Sequence, residues 1–224
     1  MNDLTPYLEH YALISLEKQH KLAQLIGEHL AEPDLENGRI RFHQDLEFPL
    51  QILGTESDNT LTFLWAWSEE QPEIPLNLLS SAFYLKNWGE ERNLLEFSSP
   101  SIDLNRADGR IISLIASELC KASCYYQDPY EGGAIFYLLS GEAIDQQPSL
   151  DIEGLCRQFS YLMSLAELNH KETLLSYLRE KGLTFSDTDA IVQGELESGE
   201  SLFAEFDDSG MLLSINGKEI VAAL

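Results

Sequence analysis

Two blocks of alternating apolar and polar residues, separated by helical stripes, constrain the fold of this chain more than any other feature. In the first block, Leu46, Phe48, Leu50 and Ile52 alternate with polar or proline positions, and residues 60–67 continue it. The second block consists of Ile191–Glu197, Leu202–Phe206 and Met211–Ile215. Alternation with a period of two residues is typical of half-buried strands. We therefore predict a strand meander in each block.

Apolar residues at intervals of three and four predict amphipathic helices around these blocks. The predicted helices cover residues 4–31, 76–92, 103–119, 152–166 and 169–181. Asp103 is the predicted N-cap of the third helix, because its carboxylate can accept a first-turn N–H. Asn169 and Glu172 have the spacing of a capping box at the start of the last helix. The last two helices are therefore predicted to form a helical hairpin.

A β-hairpin is predicted between the third and fourth helices. Its strands, Ala122–Gln127 and Ala134–Leu139, are rich in the aromatic and β-branched residues that strands prefer. They flank a six-residue, glycine-containing loop, Asp128–Gly133. A short extended segment is also predicted at Leu95–Phe97.

Together these elements predict an α+β fold. It comprises an N-terminal helix, an antiparallel sheet with packed helices, a helical hairpin and a C-terminal three-stranded antiparallel meander. The polar segment Gln146–Ser149 marks the predicted boundary between a core domain, residues 1–147, and an appendage, residues 148–224. No low-complexity linker separates the two parts, so a shared core remains an alternative.

The charge balance restricts the partners that the chain can have. It contains 38 acidic and 14 basic residues, a formal net charge of −24, and 44% of its residues are hydrophobic. That hydrophobic content predicts a folded chain, because disorder combines high charge with low hydrophobicity. Nucleic acids and anionic membranes are not expected partners, because both carry negative charge themselves. A basic protein is the partner that this charge suits.

The cysteines and the N-terminus predict a cytoplasmic protein. Cys120, Cys124 and Cys156 are too few, and odd in number, for a secreted disulfide framework. The first residues lack a basic segment followed by an apolar one, so no signal peptide is expected. No apolar run approaches the roughly 18 residues that a membrane-spanning helix needs.

Motifs for metals and cofactors are not found in the sequence. His10, His20 and His29 share the first predicted helix, but at about 100° per residue they do not converge on one ion. There is no paired zinc-ligand spacing, no nucleophile elbow and no glycine-rich phosphate loop leading into a helix. We therefore expect no metal and no cofactor.

Aromatic residues are the most concentrated candidates for a binding site. Trp65 and Trp67 lie two residues apart, so a strand would direct both to the same side. The remaining ligand-binding candidates lie in the later helix and hairpin: Trp88, Tyr126, Asp128 and Tyr130. Such rings could line a small-molecule pocket. The alternative, which we favour, is that the large rings pack the core of a sheet.

At two of its aromatic segments the chain resembles an uncharacterised bacterial family, a domain of unknown function. The first segment reads Phe63-Leu-Trp-Ala-Trp-Ser68, and the family has a W-x-W-A-W-A-N-like strand there. The second reads Ala122-Ser-Cys-Tyr-Tyr-Gln-Asp-Pro129, where the family has Ala-x-x-Tyr-Arg-x-Pro. Ser68 replaces the typical Asn, and Gln127 the typical Arg. The resemblance covers roughly residues 1–140 and implies a shared fold core but no particular chemistry.

Three functional hypotheses follow. The favoured one is a non-enzymatic intracellular binding protein with an acidic surface, of which an immunity-like protein that engages a basic partner is one version. The second is a small-molecule binding module with an aromatic-walled pocket. The third is an enzyme that uses Cys124, Asp128 or Glu131.

Overall fold

The computed structural model describes residues 4–27, 31–43, 46–70 and 74–220, and their elements confirm the α+β class. Contacts divide the chain into two units. The middle unit is Leu22–Gln147, and the terminal unit combines Asp3–Lys21 with Pro148–Leu224. The division predicted from the sequence keeps residues 1–147 together, whereas these contacts group most of the first helix with the C-terminal residues. The division into a core domain and an appendage stays a prediction.

The first helix, α1, spans Thr5–Ile26 and begins and ends inside the predicted range of 4–31. Its apolar side is buried at Leu8, Ala12 and Leu16. Residues 28–30 of the predicted helix lie outside the described part of the chain. None of the described helices is both long enough and apolar enough to cross a membrane.

The middle unit is built on a seven-stranded sheet in which every described strand pair is antiparallel. Its strands are β1 (Glu32–Asp34), β2 (Arg39–His43), β3 (Leu46–Ser57), β4 (Thr62–Trp65), β5 (Ser101–Asp103), β6 (Cys124–Tyr130) and β7 (Gly133–Leu139). The path runs β1-β2-β3-β4-β5, β7 pairs with β3, and β6 pairs with β7. Strand β4 therefore lies between two neighbours, as its apolar faces predict.

Four α-helices and a 3-10 turn complete the middle unit. They are the turn Leu76–Leu78, α2 (Ser80–Arg92), α3 (Leu95–Ser98), α4 (Gly109–Leu119) and α5 (Glu142–Asp145). The predicted extended segment Leu95–Phe97 is wrong, because it forms α3. Asn93 ends α2 in the left-handed conformation, and the next turn of helix buries Phe97 completely. A three-residue apolar run does not distinguish the two conformations.

Helix α4 begins later than predicted. Asp103 is not its N-cap but the last residue of β5, and its Oδ1 accepts a hydrogen bond from the backbone N–H of Asn105. Asp108 is the N-cap instead, because its carboxylate accepts the N–H of Ile111 at 2.9 Å. Gly109 is the first helical residue, where a Cβ would lie 2.3 Å from the Phe136 ring. This glycine therefore permits close packing of the helix on the sheet.

The β6–β7 hairpin is tighter than predicted. The strands extend to Tyr130 and resume at Gly133, so Asp128 and Tyr130 lie in β6 and the six-residue loop is wrong. Gly132 has φ of +90°, a conformation that glycine adopts without steric cost. Pro129 continues β6 because this strand pairs only with β7 among the described strands, and an edge strand tolerates a missing N–H.

The terminal unit combines helices with a second antiparallel sheet. Its later helices are α6 (Ile152–Leu165) and α7 (His170–Glu180). The cap predicted for α7 is confirmed, because the Asn169 side chain accepts the N–H of Glu172 at 3.0 Å. The strands of the sheet are β8 (Phe185–Asp187), β9 (Ile191–Glu195), β10 (Ser201–Phe206), β11 (Leu212–Ile215) and β12 (Lys218–Glu219). Their order in the sheet is β12-β11-β10-β9-β8.

The three predicted strands of this meander are confirmed as β9, β10 and β11, and two short edge strands extend the sheet to five. Leu202, Ala204 and Phe206 alternate along β10 and are buried. They pack in one core with residues of α1, α6 and α7, including Leu13 and Phe159. The other side chains of β10 therefore lie on the opposite face of the sheet.

Candidate functional site

The three tryptophans of the predicted site lie together in the core of the middle unit. Trp65 has 0% of its surface exposed, and its ring stacks on Trp67 with centroids 6.3 Å apart. Phe97 lies 5.6 Å from Trp65 and 5.2 Å from Trp88, so it joins their rings. The Trp65 Nε1 donates to the carbonyl of Glu96 at 3.0 Å. Trp65 therefore has no surface that a ligand could contact, and its N–H is already satisfied.

Cationic side chains cover the margin of this cluster. The Lys86 ammonium lies 4.9 Å from the centroid of the Trp67 ring, and the Arg92 guanidinium lies 4.7 Å from that of Trp88. Both arrangements are stabilising cation–π contacts. The Trp67 Nε1 is buried and has no hydrogen-bond partner among the described residues. Trp65 and Trp88 are therefore buried, whereas Trp67 is partly exposed and lies in a turn after β4, not in the strand that we predicted to extend to it.

Tyr126, Asp128 and Tyr130 form a separate group along β6. Tyr126 packs edge-on against Phe42 at 4.9 Å, and the Tyr130 hydroxyl donates to the Glu56 carbonyl at 3.0 Å. Burial raises the pKa of Asp128, and burial together with the Asp128 charge raises that of Tyr126. No described ring contact joins these three residues to the tryptophans. The six predicted site residues therefore do not meet at one place.

The thiols are poorly suited to nucleophilic chemistry. Cys124 is completely buried in β6. Burial raises the pKa of Cys120 to about 11 and also raises the pKa of Cys156. Because the thiolate is the reactive form, thiols with raised pKa values are weak nucleophiles at neutral pH. Within the described ranges, no three His, Cys, Asp or Glu side chains lie close enough together to hold a metal ion.

A groove of about 270 Å³ opens where the N-terminus of α2 meets the C-terminus of α4. It is lined by Ser80, Ser81, Tyr84, Leu119, Cys120 and Lys121. The Gln51 Oε1 accepts hydrogen bonds from the Ser80 hydroxyl at 2.6 Å and the Ser81 N–H at 3.3 Å, which fixes one wall. Sequence reasoning missed this groove because its two walls are separated by almost forty residues.

The terminal unit contains a buried ionic network that no local motif predicts. Lys181 Nζ lies 2.6 Å from Glu17 Oε1 and 2.5 Å from Glu197 Oε2, and it donates to Ser149 Oγ at 2.9 Å. The Tyr177 hydroxyl donates to the other Glu17 oxygen. The Glu17 side chain is only 3% exposed and that of Lys181 only 11%. The network connects α1 to α7 and to the loop that precedes α6.

The electrostatics of the network indicate a structural role. Burial alone would raise the pKa of Glu17, but hydrogen bonds from Lys181 and Tyr177 outweigh burial and hold it below its usual value. Burial alone would lower the pKa of Lys181, but Glu17 and Glu197 raise it above its usual value. Lys181 is therefore held protonated and cannot serve as a general base for Ser149. In the sequence, the spacing of Glu17 and Lys21, four residues apart on one helix, was a weak indication of an ion pair. In the structure the Lys21 Nζ lies 3.6 Å from Glu17 Oε1.

The second sheet presents an open face, which we call the outer face. It carries Ile191, Gln193 and Glu195 of β9 and Ser201, Phe203 and Glu205 of β10. Ser214 of β11 pairs with Glu205 and lies on the same face, whereas the exposed Leu213 is the unpaired position at which the register of β11 shifts. Cross-strand pairs place Glu195 beside Ser201, Gln193 beside Phe203 and Ile191 beside Glu205. The predicted alternation of Ile191–Glu197 and Leu202–Phe206 already contained the positions on β9 and β10. In β11 a register shift interrupts the predicted alternation.

The fold and these surfaces define a two-unit α+β protein with buried polar and aromatic clusters and an open acidic sheet face. Residues 5–142, more than half of the chain, match the Family of unknown function (DUF6882). The chain belongs to this family, as the sequence resemblance to a domain of unknown function led us to expect. We find no significant match among curated proteins or among solved structures.

Proposed function

We propose that this chain is a non-enzymatic binding protein of the cytoplasm whose acidic surface engages a basic partner protein. The surplus of acids in the terminal unit carries the proposal. Beyond residue 181, Lys218 is the one basic residue in the sequence. The acidic residues of the same segment are Asp187, Asp189, Glu195, Glu197, Glu200, Glu205, Asp207, Asp208 and Glu219.

The basic residues at positions 157–181 offset the surplus only in part, because only Lys171 and Lys181 pair with acids of that segment, Asp187 and Glu197. Arg157 pairs with Glu153, Lys171 with Asp187, and Arg179 with Glu172. Lys181 is taken up by the buried network. An excess of one sign of charge accelerates encounter with an oppositely charged protein and weakens as salt screens it. An immunity-like protein that covers a basic surface of its partner is the concrete version that we propose.

The state of the reactive groups favours binding over catalysis. Lys181 is held protonated, and the thiols of Cys120 and Cys156 have raised pKa values. Asp128, an acid of the enzyme hypothesis, lies in β6 and does not line the groove beside Cys120.

The proposal is tested by affinity capture from a lysate of the native host. The bait is the full chain, and an unrelated acidic protein of similar charge serves as control. A basic protein retained by the bait alone is then purified and titrated by calorimetry. We expect saturable one-to-one binding that weakens by at least about tenfold between about 50 mM and about 300 mM salt. Failure to distinguish the bait from the acidic control would refute the proposal.

A second function, small-molecule binding, is favoured by the groove beside Cys120. Its volume of about 270 Å³ is just below the usual range for ligand pockets, which begins at about 300 Å³. A fragment screen by NMR is the test, with Tyr84→Ala as the variant that removes one wall. Fragments that bind the native chain and not the variant would support this function, and the lack of any such fragment would exclude it.

A further inference from the structure

On the outer face of the C-terminal sheet the apolar side chains of Phe203 and Ile191 are partly exposed. Leu213, at the register shift of the neighbouring strand β11, is 52% exposed. Phe203 and Ile191 do not belong to the core that the opposite face builds with the helices. Aromatic side chains are enriched at protein interfaces relative to the rest of the protein surface.

Carboxylates flank the central ring of this face. Glu205 is two residues from Phe203 on the same strand, and Glu195 pairs with Ser201, the other neighbour of Phe203 on that face. Residues two apart on a strand face the same way, about 7 Å apart. Strands β9, β10 and β11 contain no Lys or Arg at all. The face therefore combines an apolar centre with negative charge on both sides of it.

Hydrogen bonds hold this arrangement in place. The Asn216 side chain accepts the N–H of Phe203 at 2.7 Å and donates to the Ser201 carbonyl at 2.9 Å. Ser214 Oγ donates to Glu205 Oε2 at 2.7 Å. A rigid surface loses little conformational freedom when a partner docks, so more of the contact energy remains as affinity.

We propose that the outer face is the docking surface of this protein, and that it takes a basic protein segment in which arginine or lysine flanks an apolar side chain. This inference rests on the proposed function and specifies where the partner binds. The apolar side chain packs against Ile191, and a cation lies over the Phe203 ring between Glu195 and Glu205.

Charge complementarity selects this occupant over two others. A second copy of the chain would bring the same carboxylates to the face, and like charges brought together at an interface oppose association. A nucleic acid would bring phosphates, which the same carboxylates repel. A basic segment alone supplies the opposite charge and the apolar contact together.

The test uses the full chain and a synthetic probe, the acetylated peptide amide Arg-Leu-Arg-Leu-Arg, with a citrulline version that has the same shape without the charge. Binding is followed by ¹H–¹⁵N NMR. We expect shifts confined to β9, β10 and β11, and an affinity at least about tenfold lower for the citrulline peptide. Phe203→Leu should lower the affinity for the arginine peptide by about threefold, because the cation–π contact is lost while the strand is kept.

Matched double variants separate the face from overall charge. Glu195→Gln/Glu205→Gln should lower the affinity for the arginine peptide by about tenfold. Glu90→Gln/Glu91→Gln makes the same change in net charge on the exposed side of α2 and should change that affinity by less than about twofold. Equal losses in both variants, or none in either, would overturn the docking surface. If the captured basic partner also binds Glu195→Gln/Glu205→Gln as tightly as the native chain, the surface is wrong while the proposed function stands. If no basic partner is captured, the proposed function fails, and the inference with it.

Discussion

The two units each bury a glutamate, and they satisfy its charge differently. In the middle unit, Glu96 is completely buried, and its Oε1 accepts from Arg106 at 2.6 Å, while its Oε2 is buried with no hydrogen-bond partner among the described residues. In the terminal unit, Glu17 has partners on both oxygens, from Lys181 and Tyr177. A buried carboxylate is tolerated only when its charge is compensated, so Glu17 is the better compensated of the two.

This difference shows which interactions determine the packing of each unit. The middle unit relies on interlocked rings around Trp65 and Phe97, which contribute through buried area and ring geometry. The terminal unit joins segments about 160 residues apart, Glu17 with Tyr177 and Lys181. Apolar contacts alone discriminate weakly between alternative partners, whereas a buried charge accepts only a segment that brings the opposite charge.

The largest effect should come from removing the central ring of the middle unit. Trp65→Ala is expected to destabilise that unit by about 3–5 kcal/mol, because it leaves a cavity and an unpaired Glu96 carbonyl. Hydrogen exchange, resolved by peptide segment, measures the loss of amide protection in each unit separately. The exposed Tyr84→Ala on α2 is the control, expected to change stability by less than about 0.5 kcal/mol. Equal losses of protection in both units would contradict the division that we describe.

Removing the cation of the buried network should have the next largest effect. Lys181→Met removes the nearer of the two cations beside buried Glu17 and leaves Lys21 at 3.6 Å, and we expect a loss of about 3 kcal/mol in the terminal unit. Adding Glu17→Gln to this variant should recover part of the loss, and urea unfolding of the double-mutant cycle measures the coupling.

Arg179→Met is the matched control for Lys181→Met. Arg179 lies on the same helix, but its pair with Glu172 is largely exposed, so we expect less than about 1 kcal/mol. If both variants lost the same stability, burial of the network would have no special importance.

The helix caps should contribute equally to stability in the two units, in contrast to the buried glutamates. The Asp108 side chain caps α4 through Ile111, and that of Asp151 caps α6 through Gly154. Replacement of either aspartate by alanine should cost about 1 kcal/mol, whereas asparagine in the same position should keep the cap. Thermal unfolding followed by circular dichroism measures both. A difference of several kcal/mol between the alanine variants would show that one cap carries tertiary contacts as well.

The smallest effect should be a pH dependence confined to the terminal unit. His170 Nδ1 accepts the N–H of Leu212 at 3.1 Å, which requires an unprotonated Nδ1. Burial lowers the pKa of His170 below its ordinary value of 6.5, although the nearby Asp207 opposes the shift. The unfolded chain therefore binds a proton more readily, so this stabilisation is complete above pH 6.5 and is lost as the pH falls towards the lower folded value.

Exchange of the Leu212 amide should accordingly rise as the pH falls below 6.5, after correction for the intrinsic rate. His170→Asn keeps an acceptor near the position of Nδ1 and removes the titration. It should flatten the dependence, and His10→Asn, at an exposed site, should leave it unchanged. A native profile that matches that of His170→Asn would rule out this histidine as the cause.

Periodicity predicted most helices and strands because one face of each element packs against a core. The alternation in β10 gave its buried face and, with it, the position of Phe203 on the outer face. Periodicity failed where a local turn determined the structure, as at Leu95–Phe97, where a new helical turn follows the end of α2. Boundary errors at Asp103 and Asp128 have the same origin, because either residue suits a cap or loop as well as a strand end.

The sequence could not predict which residues would meet. The predicted site joined Trp65 with Tyr126 because both are aromatic, yet one lies in the ring cluster and the other beside Phe42. The network of Glu17 and Lys181 has no signature either, because an acid and a base about 160 residues apart are ordinary surface residues until the fold buries them. Spatial proximity between distant segments is a property of the topology.

The grouping of α1 with the last segments of the chain sets an order for its biosynthesis. Residues 5–21 leave the ribosome long before residue 148, and at roughly 5–20 residues per second the interval is about ten seconds. Throughout that interval the nascent helix carries Leu13 and Glu17 without their partners, while the middle unit can already form. The apolar side of the first helix is therefore without its native core for longer than any part of the middle unit, and exposed apolar surface of this kind favours aggregation during synthesis.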